Sequence, residues 1–552
     1  MTPFDGVRLR AASLLRSGAS PGPTYPPGSS TACRTARGCD EITDAYRRLC
    51  SLAVTGGAVG EVLDGLEALH GVYHEGADGA GNWWHWVIGA PMALLETCVL
   101  VHDHLAPDRL AAYLRAVDRF CPEPEGTGAN LADKAAIVAL SGVLGGDADR
   151  VAGARDALSA LFPYVTSGDG FYADGSFIQH DNLPYAGSYG IALLTSLGWT
   201  RALLAGSPWE ITDPGLRNVT EAVERGFLPF VHKGLMMAPV RGRAISRETT
   251  TDADAGRDLA KAVALLVDHP SEPALGCRVY AAQDRVVHRR PGWTFALSLS
   301  SRRIARYECI NGENLRAWHT ADGMTYLYDD DLGHYVDGYW PTVDPCLLPG
   351  TTVSTAPHEH PGPGPAGGWA GGAVLDGCGV AGLELAGPGP TGRKAWFFLD
   401  DAVVALGAGI SGPGRVVTVV ENRKTGAPLT LGDGWAHLET VGGYAFLDGR
   451  PRAFSGERTG SWRDINAGDE LNRGSTTPLT RHYTTLLLEH DATYAYAILP
   501  GLRPEQWPGV EIVANTPEVQ AIRAGDLFAA MVWDPEPRAQ LSRAPHTPRY
   551  GR

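Results

Sequence analysis

Long apolar runs are missing from this chain. No stretch reaches the roughly 18 to 20 residues of a membrane span, and the first thirty residues lack the apolar core of a signal peptide. No membrane partner is expected and no export address is legible. Positive charge is also scarce: 47 Lys and Arg stand against 62 Asp and Glu, a net charge of −15, which argues against nucleic acid and anionic membrane surfaces as general partners. An anionic ligand would need a local basic patch. The nine cysteines are odd in number, and their spacing makes neither a zinc knuckle nor a redox CxxC, so they form no staple framework. A Cys33–Cys39 bridge is conceivable in an oxidising compartment, and most of the others are expected as buried free thiols. Also absent are a P-loop, a Rossmann glycine fingerprint, HExxH and GxSxG, which leaves nucleotide, zinc-peptidase and serine-hydrolase chemistry without footing. His358 and His360, on a flexible loop, are too thin a metal hint to count.

What is present is a soluble globular composition, 44% hydrophobic and 20% charged, in 552 residues, enough for two or three domains. Residues 1–40 are rich in Pro, Gly, Ser and Arg and read as a poorly structured extension. Residues 41–270 repeat apolar positions at three and four, as in Leu110-Ala111-Ala112-Tyr113-Leu114 and Lys134 to Leu140, and read as an all-α layer. Near residue 275 the texture changes to short alternating runs such as Trp293 to Leu299 and Ala395 to Leu399, so residues 271–533 read as antiparallel sheets packed face to face. Residues 534–552 show no strand pattern and are expected to be a disordered tail.

The densest polar stretch runs from Ser167 to Gly190. His180 and Tyr189 lie nine residues apart on a loop that enters a helix at Ile191, so two proton-transfer groups can share one pocket. A structural role at a loop edge is the bland alternative. Trp83-Trp84-His85-Trp86 places three indoles in four residues, which cannot all face one core, so at least one is expected as an exposed platform for a sugar ring. Asn130, after Thr127-Gly128-Ala129, could donate its amide to an anion or simply cap the helix that follows. Arg241-Gly242-Arg243 to Arg247 is a cationic cluster suited to carboxylate or sulfate. Tyr307-Glu308 to Asn311 and on to Trp318 follows Arg302, Arg303 and Arg306 and is denser in polar groups than a plain connection; salt-bridged packing is the alternative.

Taken together and in order, these motifs resemble the family-eight polysaccharide lyases, the hyaluronate, chondroitin AC and xanthan lyases. The resemblance rests on Asn82-Trp83-Trp84, Thr127 to Asn130, Asp169 to Gly190, Gly242 to Arg247, Asn311-Gly312-Glu313-Asn314, Asp322 to Tyr328, Tyr339 to Val343, Leu348 to Thr352 and Gly460 to Asn466. It implies an incomplete α/α toroid followed by an antiparallel β super-sandwich, with the cleft at their junction. It implies catalytic roles for Asn130, His180, Tyr189, Arg243 and Glu308, and substrate contacts for Trp83, Trp84, Asn182, Arg247 and Asn311, with no metal or other cofactor. The implied activity is secreted β-elimination on an anionic polysaccharide by a monomer, most of all hyaluronan, then chondroitin. His180 or Tyr189 would take the proton, Tyr189 would protonate the leaving oxygen, and Arg243, held by Glu308, would orient Tyr189. Xanthan ranks lower because Glu248-Thr249-Thr250 lacks an aromatic residue for a terminal mannose. A hydrolase using Asp169 and Asp174 and a non-catalytic sugar binder remain as rivals. His85 and Val87 stand where the family usually has acidic residues, so the outer cleft is expected to differ. Family members are also longer at both ends, which predicts a sheet face or edge left open to water near Trp533 and a marginally stable or self-associating protein.

Overall fold

The computed structural model describes residues 2–20, 39–357, 359–468, 473–533 and 537–543. Its helical part begins earlier than composition suggests. Helix α1 (Pro3–Arg16) starts in a reciprocal cap between Thr2 and Asp5 and buries Val7, Ala11 and Leu15, four residues apart, in the helical core. Residues 2–16 are therefore not a loose extension, and the Cys33 side of the conceivable bridge lies outside the described residues. Helices α2 (Cys39–Val54), α3 (Val59–His70), α4 (Ala90–Leu100), α5 (Pro107–Phe120), α6 (Gly128–Gly145), α7 (Ala148–Leu158), α8 (Ile191–Leu204), α9 (Leu216–Ala222) and α10 (Asp252–Leu266) complete the layer. α4, α6 and α8 bury residues on nearly every side, as helices enclosed by others do; α1, α2, α5 and α10 carry the one-sided apolar stripe of outer helices. No described helix is long and apolar enough to cross a membrane.

The second half is antiparallel throughout the described residues. A four-stranded sheet (Gly276–Tyr280, Arg285–Arg290, Trp293–Leu299, Asp322–Tyr328) continues the helical core, because Met324, Tyr326 and Tyr328 pack in the same cluster as Phe177, Tyr185 and Leu259. An eight-stranded sheet, from Ala370–Leu375 at one edge to Leu429–Gly432 at the other, forms the centre of the sandwich. Strand Thr391–Phe398 shows the period of two: Trp396 and Phe398 enter one core with Phe295 and Leu486, while Ala395 and Phe397 enter another with Ile522 and Met531.

That second core corrects two expectations. Glu511–Asn515, Val519–Ala524, Leu527–Val532 and Arg538–Arg543 form a four-stranded sheet whose Ile522, Leu527, Met531 and Trp533 cover this face of the central sheet. The face is closed, and residues 538–543 of the supposed tail pair along Leu527–Val532. They escaped notice because Arg538-Ala539-Gln540-Leu541-Ser542-Arg543 has the polar, charged texture of an edge strand. Among the described residues seven cysteines are free thiols, five of them buried.

Candidate active site

The His180 stretch folds as a small antiparallel unit: β1 (Gly170–Phe171), β2 (Phe177–Gln179) and β3 (Leu183–Pro184). At the tip between β2 and β3, His180 and Asp181 both take left-handed backbone angles, φ 54° and 67°. Side chains other than glycine adopt that region at a cost of about 1–2 kcal/mol each, which surrounding contacts must offset. They do so here: Asp169 accepts from Asp181 N at 2.8 Å, from Gln179 Nε2 at 2.8 Å and from Thr127 Oγ1 at 2.8 Å. Gln179 Oε1 in turn accepts from Ala129 N at 3.1 Å. This link joins the chain neighbours of His180 and Asn130, and it requires Gly128, whose φ is 52° and whose added Cβ would stand 2.0 Å from Gln179 Oε1. Asn130 occupies the first turn of α6 while Thr127 holds the cap position, so the capping alternative fails.

Tyr189 lies in a π-helical turn, Ala186–Gly190, that runs into α8. Such turns widen a helix by one residue and re-aim a side chain. The ring stands 4.8 Å from that of His180 and 4.9 Å from that of Tyr185. Arg243 Nη2 donates to Tyr189 Oη at 2.8 Å, with its guanidinium carbon 5.3 Å from the ring centroid. Gly242 permits this: at φ 54° it brings Arg243 N within 3.1 Å of Tyr185 Oη, where an added Cβ would meet Tyr185 Cε1 at 2.0 Å.

Glu308 is the hub. His180 Nδ1 lies 2.5 Å from its Oε1, while its Oε2 accepts from both Tyr185 Oη and Arg243 Nη1. Burial alone would raise this carboxyl, but the His180 hydrogen bond and the Arg243 charge outweigh it and bring it down to about 2. Burial pushes the Tyr185 phenol well up, so it stays a neutral donor. Glu313 bridges the remaining cations, accepting from Arg243 Nε at 3.2 Å and from Arg247 at 2.6 and 3.2 Å. Burial opposes the Arg243 charge, yet Tyr185, Tyr189, Glu308 and Glu313 together keep it firmly protonated. Two guanidinium groups thus face two carboxylates, and the site is a set of aimed donors rather than a positive patch.

Directions of donation follow. An ionised Glu308 only accepts, so His180 Nδ1 carries its proton and Nε2 keeps the lone pair. A guanidinium only donates, so Tyr189 Oη accepts from Arg243.

The other singled-out residues sit around this network. Trp83 is 49% exposed, with Lys134 Nζ 5.9 Å from its ring centre, one turn along α6 from Asn130. Trp84 is half-buried beside Arg47, and Trp86 is buried against Tyr73. Asn182 works through its backbone, its carbonyl accepting from Ala305 N at 3.1 Å, and its side chain is half-buried. Asn311 is exposed on a left-handed turn, φ 55°. Arg241 is tied to buried Asp252, Arg303 to Asp284 and Arg306 to Asp322, so these arginines serve packing. Asp174 caps Ser176 N and Ala282 N, and Asp169 is spent on the loop, which removes the carboxylate pair of the hydrolase rival. Tyr185, Gln179 and Glu313 were not singled out from sequence; apart from the Gln179–Asp169 bond ten residues apart, the bonds that tie them into the site, to Ala129, Glu308 and Arg243, reach 50 to 123 residues away, beyond any local pattern.

The chain matches two family descriptions: "Polysaccharide lyase family 8, N terminal alpha-helical domain" over residues 40–278 and "Polysaccharide lyase family 8, super-sandwich domain" over residues 275–509. It is 40% identical over 545 residues to hyaluronate lyase of Thermasporomyces composti, covering 81% of this chain and 69% of that protein. Against xanthan lyase of Bacillus sp. (strain GL1) it is 36% identical over 590 residues, covering 88% of this chain and 63% of the relative. Among solved structures, Streptomyces coelicolor A3 chondroitin AC lyase in complex with chondroitin sulphate matches with a TM-score of 0.86 at 36% identity, over 97% of this chain and 88% of that one. The chain belongs to polysaccharide lyase family 8. It is a carbon–oxygen lyase acting on polysaccharides.

Proposed function

We propose that this chain cleaves a uronic-acid glycosaminoglycan, hyaluronan first and chondroitin second, by β-elimination to 4,5-unsaturated oligosaccharides. The observation that supports the reading is the Glu308 hub, which holds His180 by Nδ1 and, through Arg243, holds Tyr189 beside it, an arrangement suited to one proton acceptor at His180 Nε2 and one proton donor at Tyr189 Oη. The C5 proton of a uronate is scarcely acidic while the adjacent carboxylate keeps its charge. Asn130 donates to that carboxylate as an enolate-like state forms, a contribution of about 3–4 kcal/mol where single donors have been removed elsewhere. His180 Nε2 takes the C5 proton, the C4–oxygen bond breaks, Tyr189 gives its proton to the departing oxygen, and a C4–C5 double bond remains. Arg243 then steadies the phenolate until solvent returns a proton to Tyr189 and takes the C5 proton from His180, restoring both groups. Trp83, Trp84, Asn182, Arg247 and Asn311 position the sugar chain.

The relatives named for hyaluronate and chondroitin support these two substrate classes. For xanthan, Glu248 is spent on Ser475 N and Oγ, and its neighbours offer no ring to a terminal mannose. Extracellular action is part of this reading, since a polysaccharide chain is cut before it can enter a cell, and so is a monomer, in keeping with His180, Tyr189, Arg243 and Glu308 all coming from one chain. Incubation with hyaluronan, chondroitin sulfates and xanthan tests the proposal. Ultraviolet-absorbing conjugated ends are expected with hyaluronan above all, and new reducing ends without that absorbance would refute elimination.

A further inference from the structure

One cluster of ligating side chains is unused by the elimination chemistry. His319, Cys346 and His360 come from three separate segments, yet their ligand atoms all lie within 4.8 Å of one another. His319 is buried, and its Nδ1 bonds Asp322 Oδ2 at 3.0 Å, while Asp322 Oδ1 accepts from Arg306 Nε at 3.0 Å. A carboxylate held by a guanidinium accepts, so His319 carries its proton on Nδ1 and keeps the Nε2 lone pair for another partner. This is the carboxylate–histidine arrangement that fixes the tautomer and ring of a metal-ligating histidine.

The other two groups are also held. Asp344 Oδ1 accepts from Cys346 N at 2.9 Å, which turns the chain beneath the thiol. The His360 ring lies flat on Trp318, centroids 3.7 Å apart and planes 4° apart, and 6.1 Å from the His319 ring. Tyr307 Oη donates to the next carbonyl, Pro361 O, at 3.1 Å. Two imidazoles and a thiolate form a borderline-soft set that suits zinc and disfavours calcium or magnesium. Ligands around tetrahedral zinc stand roughly 3.5 Å apart; the three ligand atoms, all within 4.8 Å of one another, are near that spacing, and a water would supply the fourth ligand.

We propose that His319, Cys346 and His360 bind one Zn²⁺ ion that clamps the turns around residues 319, 346 and 360 to one another. None of the three belongs to the Glu308 network. The bond from Tyr307 to Pro361 O is independent of the ion, so the segment that carries Glu308 keeps its place without it, and the elimination chemistry does not pass through the clamp.

Cobalt(II), a spectroscopic stand-in for zinc, gives a near-ultraviolet charge-transfer band when a thiolate binds it. Titrating the tag-free, reduced, metal-stripped full chain should raise that band to saturation at one cobalt per chain, and zinc but not calcium should abolish it. Cys346→Ser should remove the band, and Cys346→Ser and His360→Gln should each weaken zinc binding by at least about 10- to 100-fold. Both variants should keep the circular-dichroism spectrum and basal turnover of the unaltered enzyme. Absence of the band together with no zinc retained on dialysis would overturn the proposal. So would displacement by calcium, or unchanged zinc affinity in both variants.

Discussion

In the proposed reaction Glu308 sets the directions of proton transfer, because an ionised carboxylate has nothing to donate: each of its neighbours turns a proton toward it, which leaves His180 Nε2 bare. Replacing it with an amide would let the imidazole adopt the wrong tautomer, so Glu308→Gln should lower kcat by about 10³- to 10⁴-fold, the size seen where an orienting carboxylate is lost in a comparable relay. Tyr189→Phe removes the donated proton and keeps the ring, so turnover should fall by about 10²- to 10⁴-fold with KM little changed. His180→Ala should be as severe; turnover within tenfold of the unaltered enzyme would move the base to Tyr189. The lowered carboxyl of Glu308 also predicts a pH dependence. A group whose folded value lies below its ordinary 4.5, here about 2, stabilises the fold fully above 4.5 and loses that contribution as pH falls toward 2. The contribution is about 3 kcal/mol at neutral pH. Chemical denaturation of the unaltered protein and Glu308→Gln should show a gap that narrows as pH falls through that window, and a constant gap would contradict the assignment.

Elements are what bring these groups together, and much of that was legible while the joints were not. The helical repeats show as apolar residues at three and four, the sheets as alternation, and the Ser167 to Gly190 stretch stands out by its polarity and glycine. What local pattern hides is the device at each joint: the π turn beneath Tyr189, the left-handed tip at His180, and the glycines that let chains meet. α1 was hidden by the Pro-Gly run after it, although Val7, Ala11 and Leu15 carry the period in plain sight. Gly242 is the sharpest of these joints. Gly242→Ala costs about 1–2 kcal/mol from the backbone angle alone and drives its methyl into Tyr185. Urea denaturation should therefore show a loss of at least that size. Activity should fall by more than stability explains, since Tyr185 and Arg243 N would part. Full activity in a destabilised Gly242→Ala protein would show that the Tyr185 contact is dispensable.

Across the described residues the candidate site and the far end of the sandwich rest on different cores. The cluster that holds Tyr185 and Met324 runs through the helical layer into the first sheet, whereas Met531, Ile522 and Phe397 form a separate core between the central and last sheets. Stability and chemistry should therefore separate. Met531 is fully buried and has no link to the Glu308 network, so Met531→Ala should cost about 2–5 kcal/mol as an unfilled cavity and expose the protein to self-association on warming. At 25 °C, where the remaining protein stays folded, kcat/KM should be unchanged. The measurement is a melting curve beside initial rates on the same preparation. A fall in kcat/KM that tracks the lost stability while the chain is still folded would mean that the last sheet reaches the cleft through the eight-stranded one, and that the two cores act as a single unit.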